Sequence, residues 1–280
     1  MKIVIHPGFP KTGSSSLQFG PFQELEKLGR INLMTWRKNS CTEPLADRPS
    51  SRLFNREKIL DRYLDFVETK LNVISDESLT APTRLRKLNF GSDIVSPFKF
   101  PYLLREQILN KYNTTSIEIS VIVVLRRQAS LITSQYVEEY NWKRYKNIDL
   151  IFDNRGLVDL DGYDIYNYYK YLELLVSVYG AKNCFFLLYE EFLQNPTSFC
   201  SKLDNIFNTE RGFFRKSLES NHKNKKNKSK YGSFAKDGSY FVPYLRKDIY
   251  LEIDKYFSEC NTSLSSFMSK KELKKYGYIN

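Results

Sequence analysis

Histidine is nearly absent, with two residues, His6 and His222, in a chain of 280. They cannot form an H-E-x-x-H pair or a two-histidine, one-carboxylate set, which excludes the common His-built metal catalysts. Cysteine is scarce too. Cys41, Cys184, Cys200 and Cys260 lie far apart with no C-x-x-C, so neither a disulfide framework nor a structural zinc site is expected. Reduced, partly buried thiols fit a cytoplasmic compartment. Long apolar runs are missing as well. The most apolar stretch, 117–125, contains Glu118 and Ser120 and is far shorter than the ~20 residues of a membrane span. The opening MKIVIHPGFPKTG meets Pro7 and Pro10 before a secretory apolar core can form, so no signal segment is expected. No repeat of fixed period is visible.

What is abundant is aromatic and basic. Twenty Tyr and 20 Phe, with 41% hydrophobic and 27% charged residues, exclude disorder as the main state. The length prior allows two domains, but no linker interrupts the chain, and a single domain over 1–280 is expected. The net charge of +11 is local: 211–236 holds nine Lys/Arg against Glu219 alone. Such a segment attracts polyanions such as nucleic acid, acidic glycans or phosphorylated small molecules. It also reads as a solvated loop.

Strand-like and helix-like segments alternate. Lys2–Ile5, 71–74, 117–125 and 184–189 read as strands. The run at 117–125, β-branched and nearly continuous, suits the interior of a parallel sheet. Helical patterns fall at 56–71, 100–112, 128–145, 162–180 and 242–257, and Asn195-Pro196 starts another helix. Gly20-Pro21 disturbs the helix after the first strand, and 37–56 is polar and irregular. The alternation predicts an α/β fold, a P-loop-type parallel β-sheet flanked by helices.

The most informative stretch is Gly8-Phe9-Pro10-Lys11-Thr12-Gly13-Ser14-Ser15-Ser16, between the first strand and a helix. That context aims backbone N–H groups and the positive helix end at one point, which suits a phosphate or sulfate. Gly8 and Gly13 have Walker A spacing, but Ser14 stands where a nucleoside triphosphatase needs Lys, and the lysine comes earlier, at Lys11. A second cationic point follows the strand 117–125: Arg126, with Ser134 eight residues on. A guanidinium offers phosphate a bidentate fork.

Pro10-Lys11-Thr12-Gly13-Ser14-Ser15-Ser16-Leu17-Gln18 resembles the 5′-phosphosulfate loop of sulfotransferases that use 3′-phosphoadenosine 5′-phosphosulfate (PAPS). The Arg126/Ser134 spacing resembles that family's 3′-phosphate grip, and the surrounding residues are similar to its bacterial and carbohydrate-type branch. Gln128 stands where the family has Pro. Leu188-Tyr189-Glu190-Glu191-Phe192 is similar to a structural segment of the family, and Asn227-Lys228-Ser229 to a loop that closes over the nucleotide. The resemblance implies that Lys11 holds the 5′-phosphate and bridging oxygen, with Thr12, Gly13, Ser14, Ser15 and Ser16 around it. It places Arg126 and Ser134 at the 3′-phosphate, with Lys228 and Ser229 at that phosphate or at an acidic acceptor. PAPS is then the co-substrate, no metal is required, and the acceptor is a hydroxyl, by family analogy on a carbohydrate or glycolipid.

Transfer to a hydroxyl needs a base. Ser75-Asp76-Glu77 ends a strand at the edge where α/β sheets place their sites, and resembles the family's S-x-E segment. Glu77 is the first candidate, with Asp76 and His6 as alternatives. Two other functions compete. In a P-loop kinase or NTPase, Asp76 would order Mg²⁺. In a nucleic-acid binder, the Lys-rich segment would act with Tyr231 and Tyr240, although no helix-turn-helix, zinc-finger or RNP signature accompanies it. A third possibility keeps the fold and the binding but has lost catalysis.

Overall fold

Five apolar strands lie side by side: β1 (Lys2–His6), β2 (Ile31–Thr35), β3 (Leu71–Ser75), β4 (Glu118–Leu125) and β5 (Cys184–Leu188). The computed structural model describes residues 1–35, 37–38, 41–42, 47–82, 95–112, 116–141, 152, 155–220, 233–234, 240–241 and 244–280. The strand order is β2-β3-β1-β4-β5, with every neighbouring pair parallel. β4 lies inside the sheet, paired on both edges, as its unbroken β-branched run requires.

Side-chain alternation assigns the two faces. Ile3, Ile5, Val121, Val123 and Leu125 join one core, whereas Val4, Val73, Ile122, Val124 and Leu187 join another. The second face is covered by α1 (Ser14–Leu17), α2 (Gln23–Lys27), α8 (Pro196–Phe207) and α9 (Phe213–Ser220). The first is covered by α3 (Pro49–Phe54), α4 (Phe100–Tyr112), α5 (Gln128–Asn141), α6 (Tyr168–Tyr179) and α10 (Lys247–Ser263). Between β5 and α8 runs α7 (Tyr189–Gln194). The result is the expected α/β fold, a parallel sheet flanked by helices. No helix among the described residues is long and apolar enough to cross a membrane.

The structure departs from the sequence reading in three places. The helix expected over 56–71 is a loop with one 3-10 turn, Asp61–Tyr63. Side chains of α4 satisfy its backbone instead of an intrahelical ladder: Ile59 N–H donates to Gln107 Oε1 at 2.8 Å and Phe66 N–H to the Tyr112 hydroxyl at 2.7 Å. Second, β2 is a strand in a stretch where no element was expected. Third, Pro49–Phe54 forms the helix α3 inside the stretch 37–56 expected to be irregular. Gly20-Pro21 disturbs the helix after β1, as expected. The chain passes through a π-helical segment, Gln18–Phe22, in which Gly20 leaves helical geometry at ψ −106°.

Candidate functional site

Parallel strands bring their carboxyl ends to one edge. His6 ends β1 in register with Ser75 at the end of β3, and Leu125 pairs with Leu188 at the ends of β4 and β5. The segments that leave these ends are the glycine loop, Asp76-Glu77, Arg126 and Tyr189.

The glycine loop is pinned from within. Phe9 is fully buried among Tyr166, Tyr168 and Tyr171, with ring centres 4.9–5.7 Å away. The Thr12 hydroxyl donates to the Phe9 carbonyl at 2.6 Å, and Ser14 Oγ donates to the same oxygen at 3.3 Å. Both residues are buried, and both shape the loop through this carbonyl. Ser15 and Ser16 are half-buried. Gly13 caps α1 in the left-handed region at φ 85°, where a residue lacking Cβ is favoured. The Gly8 carbonyl accepts from the Thr80 hydroxyl at 2.8 Å, which ties the loop to the turn after Asp76.

Two cations converge on this loop. Lys11 sits at φ 68°, left-handed for a residue with a side chain. Its carbonyl accepts from Arg126 Nη1 at 2.8 Å. Arg126 Nε and Nη2 donate to Ser130 Oγ at 3.0 and 2.8 Å, and its guanidinium lies 4.8 Å from the centre of the Tyr189 ring. A Cβ on Gly13 would meet that same tyrosine at 3.4 Å. The backbone at the end of β4 is fixed in turn, since the buried Tyr168 hydroxyl donates to the Arg126 carbonyl at 2.7 Å. Ser134, expected with Arg126 at the 3′-phosphate, is buried one helical turn beyond Ser130 on α5.

The sequence reading missed Glu138. Its Oε1 lies 3.2 Å from Lys11 Nζ. Ser130, Ser134 and Glu138 recur every four residues on α5, which puts all three on one stripe of the helix. That spacing was readable in the sequence.

The three candidate bases have different surroundings. Asp76 is buried, and each carboxylate oxygen accepts a backbone amide: Oδ1 from Ser78 at 2.9 Å and Oδ2 from Ser50 at 3.0 Å. Asp76 thereby caps the 3-10 turn Glu77–Thr80 and also the start of α3. Glu77, the next residue, is half-buried. His6 is fully buried, and burial lowers its imidazole from the ordinary 6.5 to about 4. His6 Nδ1 lies 2.8 Å from Ser75 Oγ, to which Gln18 Nε2 also donates at 3.0 Å. Two further polar atoms here, His6 Nε2 and Gln18 Oε1, are buried without a hydrogen-bond partner. Lys228 and Ser229 lie outside the described residues, as does 221–232 as a whole.

No protein-family model matches the chain, and no curated protein matches it in sequence. Solved structures do resemble it. A sulfotransferase from Alicyclobacillus acidocaldarius is similar over 95% of this chain and 94% of its own, at 13% identity and TM-score 0.46. Mouse sulfotransferase SULT7A1, complexed with PAP, is similar over 99% of this chain and 88% of its own, at 12% identity and TM-score 0.46. A retinol dehydratase in complex with retinol and PAP is similar over 96% and 81%, at 10% identity and TM-score 0.36.

Proposed function

We propose that this chain is a PAPS-dependent sulfotransferase that moves a sulfuryl group to an acceptor hydroxyl, on a carbohydrate or glycolipid. The observation that carries the reading is the meeting of Lys11 and Arg126. Arg126, which follows a strand end, is hydrogen-bonded to the backbone of Lys11 in the glycine loop, two residues before the Gly13 cap of α1. A nucleotide with phosphates at both ends of its ribose needs two cationic points. The residues fit that ligand: a Cβ-free turn at Gly13 opens onto α1, and the same loop carries Lys11, whose backbone Arg126 binds.

In the reaction, the acceptor oxygen forms a bond to sulfur as the bond from sulfur to the bridging oxygen breaks. The acceptor proton passes to a carboxylate, and negative charge grows on the departing phosphate. Lys11 and the first amides of α1 are the groups suited to that charge. Glu77 is the assigned base, since both Asp76 oxygens hold backbone amides and His6 is buried with its affinity for protons reduced.

In the kinase alternative Asp76 would order Mg²⁺, and its two backbone hydrogen bonds leave a lone pair on each oxygen for that. The direct experiment is a thermal shift with PAP, without metal, followed by transfer of labelled sulfate from PAPS to a panel of sugars and glycolipids. No shift and no transfer would reject the reading. Magnesium-dependent ATP turnover would favour the kinase.

A further inference from the structure

We infer that Glu138 is an internal counter-anion of Lys11, which an incoming phosphate displaces. The ligand's identity rests on the reading above, but the displacement concerns any phosphate that reaches Lys11.

Lys11 is held at both ends by neighbours of the same helix. Its carbonyl is bound by Arg126, which itself grips Ser130 on α5, and its ammonium lies 3.2 Å from Glu138, two turns further along α5. The side chains of Lys11 and Glu138 are 18% and 33% exposed, so the pair is partly sheltered from screening by water. Without this carboxylate, the Lys11 ammonium would lose the ion pair that neutralises it in this partly buried position. Glu138 thus supplies, from within the chain, the kind of charge that the site is built to take.

A ligand's phosphate and the Glu138 carboxylate compete for one ammonium, and like charges this close repel. Breaking the Lys11–Glu138 pair costs the same whatever anion replaces the carboxylate, so Glu138 lowers the affinity for anions at this point, and it acts through Lys11.

The test is a double-mutant cycle read by titration calorimetry, with wild type, Glu138→Gln, Lys11→Ala and the double variant, each titrated with PAP and separately with inorganic phosphate. Displacement predicts that Glu138→Gln binds both probes about fivefold tighter, and that the gain vanishes once Lys11 is alanine. Glu138→Ala must reproduce the gain, which separates loss of charge from any effect of the amide. A gain that persists without Lys11 would be a general field effect and would overturn the proposal. Unchanged or weaker binding in Glu138→Gln would overturn it as well. If PAP binds none of the four proteins, the PAPS reading fails, and the phosphate titrations still decide the role of Glu138.

Discussion

Arg126 Nη1 donates to the carbonyl oxygen of Lys11 at 2.8 Å, so the cation assigned to one end of the nucleotide also holds the loop that grips the other end. The bond supports a left-handed lysine, whose conformation costs energy unless its surroundings impose it. Arg126→Met should therefore weaken PAP about ten- to hundredfold, as expected for loss of charged hydrogen bonds. It should also weaken 5′-AMP, which has no 3′-phosphate, by about fivefold through release of Lys11. Calorimetry with both nucleotides decides the point. Unchanged 5′-AMP affinity would mean that Arg126 serves the 3′-phosphate alone.

Asp76 and Glu77 are adjacent in sequence and should behave oppositely. In Asp76→Asn, an NH₂ replaces one acceptor oxygen and faces the amide of Ser50 or Ser78. A buried donor opposite a donor costs about 1–3 kcal/mol, so Tm should fall by several degrees. Glu77→Gln should leave Tm and PAP affinity close to wild type and slow turnover about 10²- to 10⁴-fold, the usual range for loss of a base. Thermal melts and single-turnover transfer measure both. Full activity in Glu77→Gln would remove it as the base.

The glycine loop and β4 were legible because each is dictated locally, one by Gly and Lys spacing, the other by an unbroken β-branched run. The segment 56–71 was misread because Ile59, Tyr63 and Leu64 are buried at helix-like intervals without forming a helix. Gln107 and Tyr112, far along the chain, take up its backbone groups, and no window of periodicity contains that information. β2 was hidden by its polar residue: Asn32 bonds the Asp65 carbonyl and Asn72 Oδ1, at 2.8 and 3.0 Å. In the site, sequence reasoning named the cations and put Glu77 ahead of Asp76 and His6. It could not see that folding brings the Ser50 and Ser78 amides to Asp76.

Gly8 leaves no room for a side chain. At φ 42°, an added Cβ would lie 2.4 Å from Ser14 Oγ and 3.2 Å from His6 Cε1. Gly8→Ala must push Ser14 off the Phe9 carbonyl, which opens the loop where α1 begins. We expect a lower Tm and weaker PAP binding. Adding Ser14→Ala removes the offending oxygen and should recover part of the lost stability, the remainder reflecting the left-handed backbone, about 1 kcal/mol. No recovery in the double variant would show that the Ser14 contact is not the cause.

His6 links stability to pH. Its imidazole is lowered from 6.5 to about 4 by burial, so in this interval the unfolded chain binds a proton that the folded chain refuses. Unfolding then takes up protons, and stability rises with pH across the interval. The contribution is complete above about pH 6.5, declines as the pH falls, and is gone below about pH 4. At 1.36 kcal/mol for each pKa unit, it amounts to about 3 kcal/mol. His6→Asn keeps a polar atom near Ser75 and has no titrating ring. Urea denaturation between pH 4 and 7.5 should show wild type losing more stability toward acid than His6→Asn, with the curves parallel above pH 6.5. Equal slopes throughout would mean that the imidazole takes up its proton in the folded protein, and would restore His6 as a rival to Glu77 for the acceptor's proton.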